Sequence, residues 1–247
     1  KLVDTDGDVL YPKISPDGRL LAYLADRNQI RVLNRATGAT VTALPAGYFY
    51  SYQDDDMSYE WAPDSLWLTA TTGSIVTNQD IVLLDASGKA APMFVTHSGY
   101  HDAGPRFSPD GKAILWASGR EGLRHADATT GQLDIYLAYL TRAGFDAKDE
   151  ADGAAWQPQP VGIEHRTKRL TPFSLTPLLY ALSPGHESLL VVDGATCIPL
   201  GTETPAVEIV RAVGARVQFL VLEAGPGGVH VGAAQAHDLG MRLREAG

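Results

Sequence analysis

Short apolar runs recur along the chain, each introduced by a polar turn. Leu20-Leu21-Ala22-Tyr23 follows Ser15-Pro16-Asp17-Gly18, and Trp67-Leu68-Thr69-Ala70 follows Ala62-Pro63-Asp64-Ser65. Ala113-Ile114-Leu115-Trp116 follows Ser108-Pro109-Asp110-Gly111, and a worn copy, Ser183-Pro184-Gly185-His186, precedes Leu189-Leu190-Val191. Within each run the residues are apolar without strict alternation, which predicts strands buried on both faces. The turns follow from their residues: Pro presets φ, Asp bonds its own backbone, and Gly adopts a positive φ. Pro16 and Pro63 are 47 residues apart and Pro63 and Pro109 are 46 apart, close to the period of a four-stranded propeller blade.

Around these turns the pattern predicts antiparallel meanders. In the first unit strands are expected over 9–14, 20–24, 29–34 and 39–44, with Asn34-Arg35-Ala36-Thr37-Gly38 as a turn. In the second they are expected over 58–61, 67–70, 80–85 and 92–96, and Trp61 and Trp67 are large enough to fill the wedge between neighbouring sheets. The third has 104–107, 113–118 and 134–140, then an insertion over 145–162 that stretches the distance from Pro109 to Pro184 to 75 residues. Residues 164–171 are expected to return to strand, and 178–192 to form the worn repeat. The fold class is therefore all-β: an incomplete β-propeller of about four blades of four-stranded antiparallel sheet. Blades are expected over 1–192. From 193 to 247 the composition turns to Ala, Gly and Val, with strands suggested at 207–210 and 217–222 and a short helix at 237–246. That segment reads as a diverged blade, a different domain, or sequence outside the native frame.

Composition narrows the function classes. Net charge is -9 over 247 residues, which argues against a general nucleic-acid binder, since that needs a basic face for phosphates. Cys197 is the one cysteine, so no disulfide forms within the chain. No apolar run reaches the ~20 residues of a membrane-spanning helix. The chain starts at Lys1 without a signal peptide or initiator Met, and is expected to be a processed or excised piece of a longer protein.

Candidate chemistry is sparse. Tyr48, Tyr50 and Tyr52 alternate with other residues just ahead of Asp54, Asp55 and Asp56. Aromatic faces suit a peptide backbone and the acids suit its amino group, so this stretch is a candidate substrate rim; the competing reading is an inter-blade strand followed by a solvated acidic loop. His97 and His101 offer a polar edge to the same rim, or ordinary loop hydrogen bonding; four apart with no helix and no third ligand, they are not a zinc pattern. Asp4-Thr5-Asp6-Gly7-Asp8 fails the helical calcium-loop pattern, because Val9 and Ser15 stand where Gly and Glu are required. No Gly-x-Ser-x-Gly elbow occurs, and Gly225-Pro226-Gly227-Gly228 reads as a turn or an anion-binding loop. Asp17, Asp64 and Asp110 are assigned to turn formation. No catalytic residue, cofactor or metal site is expected in this chain.

The ordered set of motifs resembles the N-terminal propeller of bacterial tricorn-like serine peptidases. It comprises residues 6–18, Tyr50-Ser51-Tyr52, Tyr59-Glu60-Trp61-Ala62-Pro63-Asp64-Ser65, Asp80 to Lys89, Asp134-Ile135-Tyr136-Leu137 and Arg169-Leu170-Thr171. The Pro-Asp repeat itself is shared with TolB-type and dipeptidyl-peptidase propellers. The resemblance implies a periplasmic or secreted peptidase whose propeller gates peptides toward a separate catalytic region and a PDZ-like module, neither present in this chain. The alternative is a TolB-like protein-binding scaffold without enzymatic activity. The implied partner is a peptide or protein, with no nucleic acid and no membrane span.

Overall fold

A computed structural model describes residues 3, 7–54, 56–75, 78–122, 131–146, 157–171, 177–182, 189–193, 196–200, 221–225 and 228–232. Each of the first three sheets grows from a Pro-Asp turn. In the first, the Ser15 hydroxyl donates to Asp17 Oδ1 at 2.6 Å and accepts from the Leu20 amide at 2.9 Å. Asp17 Oδ1 also accepts from the Arg19 amide, and Gly18 sits at φ +76. The third turn repeats these bonds atom for atom: Ser108 donates to Asp110 at 2.6 Å and accepts from the Ala113 amide at 2.9 Å, with Gly111 at φ +75. In the second, Ala62 replaces the serine and Ser65 takes the glycine's place at φ +63, a conformation that costs about 1 kcal/mol for a residue with a Cβ. Its hydroxyl is used elsewhere, accepting from the Asp17 amide of the neighbouring turn at 3.1 Å.

The strands follow in the expected order. β1 (Val9–Ile14), β2 (Leu20–Ala25), β3 (Gln29–Asn34) and β4 (Thr40–Leu44) form one antiparallel sheet. β5 (Tyr59–Trp61), β6 (Trp67–Ile75), β7 (Asn78–Asp85) and β8 (Met93–Phe94) form the second. β9 (Asp102–Phe107), β10 (Ala113–Ser118), β11 (Asp134–Tyr139) and β12 (Thr167–Arg169) form the third. All three are four-stranded meanders in chain order, so the Pro-Asp turns share one end of their sheets with the β3–β4 type turns; the Arg35 amide donates to the Arg19 carbonyl there at 3.0 Å.

Burial on both faces explains the continuous apolar runs. Ala22, Leu24, Ile30 and Val32 of the first sheet pack with Tyr59, Trp61, Leu68 and Val82 of the second. The other face of the second sheet, with Trp67, Ile81 and Leu83, packs with Ile114, Trp116 and Tyr136 of the third. Leu21, Tyr23 and Leu33 form a further cluster on the remaining face of the first sheet. Trp61 and Trp67 thus fill the two successive wedges, as their size and repeat position predicted. Polar bonds pin the first seam: Trp61 Nε1 donates to the Lys13 carbonyl at 2.9 Å, and the Lys13 ammonium donates to the Tyr59 carbonyl at 2.6 Å. The Tyr59 hydroxyl reaches the Tyr11 carbonyl, at the bulge where β1 carries a φ of +51.

The chain divides into two compact units, Lys1–Pro172 and Phe173–Gly247. The second holds β13 (Pro177–Leu182), β14 (Leu189–Asp193), β15 (Thr196–Leu200), β16 (Val221–Gly225) and β17 (Gly228–Gly232). They form one five-stranded antiparallel sheet ordered β13-β14-β15-β17-β16, in which β13 and β14 hold the worn repeat. The suggested strand at 207–210 and helix at 237–246 lie outside the described residues, as does Asp55. In the third sheet, residues 164–166 belong to a 3-10 helix, Ile163–Arg166, rather than to a strand. Strand resumes at Thr167.

Candidate functional site

The third sheet builds a polar and aromatic assembly from residues far apart in sequence. Register places Trp116 beside Tyr136 and Tyr136 beside Arg169. It also places Asp102 and Asp134 on either side of Ser118. The Trp116 and Tyr136 rings stack with centroids 5.9 Å apart. Asp102, fully buried, accepts from Trp116 Nε1 at 3.3 Å and from the Ser98 hydroxyl at 2.9 Å, which fixes the indole.

Asp134 is also fully buried and accepts from Arg169 at 2.7 Å and Thr171 at 2.9 Å. Arg169 spans from there to Glu121 at 2.8 Å, and Glu121 accepts from the Tyr136 hydroxyl at 2.9 Å. The bond to Asp134, followed by its charge and that of Glu121, raises the Arg169 pKa and keeps the guanidinium charged. Burial, followed by the bond to Glu121, pushes the Tyr136 phenol up, so this hydroxyl acts as a fixed donor and not as a base. The same clasp exists without the arginine in the second sheet: Thr96 accepts from the Ile81 amide at 2.8 Å and donates to Asp80 at 3.1 Å. Phe94 stands there where the third sheet has Arg169.

Between these two sheets opens a cleft of about 420 Å³. Trp116 and Tyr136 form its floor, and Phe94, Val95, Thr96 and His97 one wall. The other wall is formed by Pro160 at the end of the insertion, Ile163 and Glu164 of the 3-10 turn after it, and Thr167 of β12. The insertion leaves β11 through a four-residue helix, α1 (Arg142–Phe145), capped by the Thr141 hydroxyl, which accepts from the Gly144 amide. It returns through Gly162, at φ +72, into the 3-10 turn. Arg166, buried, ties it down by donating to the carbonyls of Tyr139, Val161 and Gln159. Burial lowers its pKa, the expected response of a cation whose bonds go to neutral carbonyls.

At the end of the cleft away from the Pro-Asp turns stands Arg120. Its guanidinium lies over the Tyr136 ring at 5.5 Å and the Tyr100 ring at 5.6 Å, between two aromatic faces. Among the described residues it forms no ion pair.

The rim residues suggested by sequence fall into separate groups. His97 lines the cleft, edge-on to Phe94 at 5.0 Å. Tyr48 packs against the first core cluster with its ring 6.3 Å from Phe94. Tyr50 and Tyr52, 45% and 69% exposed, form an edge-to-face pair at 4.8 Å on the loop after β4. That loop is closed by Asp56, whose Oδ2 accepts from the amides of Tyr52 and Gln53 at 2.7 and 3.1 Å. Asp54 is exposed and 3.7 Å from Arg27. His101 is half-buried, and its carbonyl accepts from the Gly119 amide. The sequence reading passed over Arg120, Glu121 and Trp116 as site residues. Their available signal was the juxtaposition of Gly119-Arg120-Glu121-Gly122 with a Trp-bearing strand.

No protein-family model matches the chain. By sequence it is 32% identical over 114 residues to a TolB homolog of Chlorobium chlorochromatii (strain CaD3), covering 45% of this chain and 24% of that protein. Among solved structures, the tricorn protease matches with a TM-score of 0.56 at 13% identity, over 89% of this chain and 21% of that one. TolB from Acinetobacter baumannii matches with a TM-score of 0.46 at 20% identity, over 80% of this chain and 41% of that one. The tricorn likeness shows the fold, a β-propeller arrangement of stacked antiparallel sheets. The likeness to tricorn protease is one of fold, and the likeness to the TolB homolog is one of sequence over 114 residues. The chain spans less than half the length of any of these three proteins.

Proposed function

We propose that this chain is the propeller module of a tricorn-like serine peptidase, holding peptide segments on their way to a catalytic domain elsewhere in the polypeptide. The observation that carries this reading is the cleft between the second and third sheets. It offers an aromatic floor, a polar wall and a charged end, features suited to an extended peptide. Catalytic and PDZ-like domains would be its covalent partners, and the periplasm or cell exterior its location, as the family resemblance implies. A second reading, a TolB-like scaffold that binds folded proteins, is favoured by the sequence match to the TolB homolog.

The purified chain tests the first reading directly. Unstructured peptides should bind the purified chain with an affinity measurable by calorimetry. A serine-directed fluorophosphonate probe should leave the chain unlabelled. Labelling, or peptide cleavage by this chain, contradicts the assignment of catalysis to another domain. Binding of folded partners with no measurable affinity for short peptides favours the scaffold.

A further inference from the structure

We infer that the loop after β4 is a second docking surface, apart from the cleft, where Tyr50 and Tyr52 receive a lysine or arginine side chain of a partner protein. Among the described residues these two are the only exposed aromatic side chains, at 45% and 69%. Their rings meet edge to face at 4.8 Å, which leaves ring surface open to a ligand. The pair is held in place before any partner arrives. Asp56 accepts from the amides of Tyr52 and Gln53 at 2.7 and 3.1 Å, and the buried Ser51 between the tyrosines donates to the Gln53 carbonyl at 3.1 Å. The Ser51 amide donates to the Arg27 carbonyl at 2.7 Å, and the Tyr48 carbonyl accepts from the Gly73 amide at 2.8 Å. The loop is thus fastened to both the first and the second sheet. A partner gains contact with the rings without the cost of ordering them.

Charge selects the occupant. Beside the rings, Asp8 and Asp54 flank Arg27 at 3.0 and 3.7 Å, with side chains 57% and 79% exposed. With Asp56 this sets three carboxylates against one guanidinium, while Arg31 is matched by Asp26 at 3.4 Å. The surface around the tyrosines is therefore negative. It repels nucleic acid and anionic lipid, and it repels a second copy of a chain whose net charge is -9. An ammonium or guanidinium gains twice here, from the face of a ring and from a nearby carboxylate. Two tyrosines cover far less than the roughly 800 Å² per partner of a standard interface, so the occupant is a short basic segment that docks weakly. None of these residues lines the cleft, so docking here does not depend on what the cleft binds.

The test is an NMR titration of the whole chain with one capped glycine-rich peptide in three forms, carrying arginine, lysine or citrulline. Citrulline keeps the shape of arginine and removes its charge. The arginine form, the lysine form, or both should bind about tenfold tighter than the citrulline form. Amide shifts should centre on residues 50–54 and on Arg27. The Tyr50→Ser, Tyr52→Ser double variant should remove the preference, and Tyr50→Phe, Tyr52→Phe should keep it, because the rings carry the contact. Both variants should leave the spectrum of the rest of the chain unchanged, since the loop is closed by backbone groups, Ser51 and Asp56. Asp54→Asn should weaken the charged forms about threefold, and raising the salt should narrow their advantage. Equal affinity for charged and citrulline forms overturns the role of the tyrosines, as does a preference that survives the serine variant or is lost in the phenylalanine variant. So do shifts confined to the cleft; each of these results leaves the cleft reading untouched. Self-association of the chain that the serine variant abolishes assigns the surface to a second copy and overturns the basic partner.

Discussion

Gly73 sits at φ +126, and a Cβ there would meet the Asn78 carbonyl oxygen at 2.5 Å. Gly73→Ala should therefore cost at least about 2 kcal/mol, from backbone strain and a contact that cannot relax sideways. Chemical denaturation measures it, and a change below about 0.5 kcal/mol contradicts the geometry. Asp134 presents the opposite case, a fully buried carboxylate between Arg169 and Thr171. Asp134→Asn removes its charge and leaves Arg169 only Glu121, so a loss of about 2–3 kcal/mol is expected, at or below the usual range because Arg169 is partly exposed.

Two turn carboxylates add a pH dependence. Asp17 is held below the ordinary carboxylate range, first by the Ser15 hydroxyl and then by the Arg19 amide. At Asp85 burial pushes upward, but the Ser87 hydroxyl and the amides of Ser87, Ala90 and Lys89 outweigh it and the net shift is downward. A carboxyl depressed in the folded state adds stability above its unfolded pKa of about 3.9, and that stability is lost as pH falls through the folded value. The Asp17→Asn, Asp85→Asn double variant should consequently lose less stability than the wild type between about pH 6 and about pH 3. An equal or greater loss contradicts the assignment.

At the scale of elements, legibility depended on whether a signal was local. The Pro-Asp turns carry their own hydrogen bonds within five residues, as Ser15 to Leu20 illustrates, and the strands of the first sheet fall within a residue of their expected bounds. Strand burial on both faces was equally legible, since Leu20 to Tyr23 has no polar position to present to water. The Asp134 and Arg169 motifs, 35 residues apart in sequence, are partners in space. What local pattern could not supply was the site. Glu121 and Arg169 meet across 48 residues only because β10, β11 and β12 set their register. The 3-10 turn at Ile163–Arg166 looked like strand because its polar residues lack a helical period; Arg166 bonding to nearby carbonyls holds it. Arg166→Met should therefore free the insertion, lowering stability by about 1–2 kcal/mol through loss of its hydrogen bonds to the carbonyls of Tyr139, Gln159 and Val161. Limited proteolysis should then cut within 157–166, and an unchanged digestion pattern contradicts this role for Arg166.

At the scale of the whole molecule, stacking of sheets produces both stability and site. Trp61 and Trp67 sit on opposite faces of the second sheet, one in each wedge, and truncating either to Ala should cost about 3–5 kcal/mol. The cleft lies at the second wedge, walled on one side by Pro160, Ile163 and Glu164. The acidic run after Tyr52 was legible as a charged loop, but its use was not: Asp56 spends one oxygen closing the loop on its own amides. The central claim is that peptide binds between the second and third sheets. Hydrogen–deuterium exchange on the chain with and without a saturating peptide tests it most directly. The account predicts new protection at 94–97, 116–121 and 157–167; protection confined to the loop around Tyr50 and Tyr52, or no change anywhere, would contradict it.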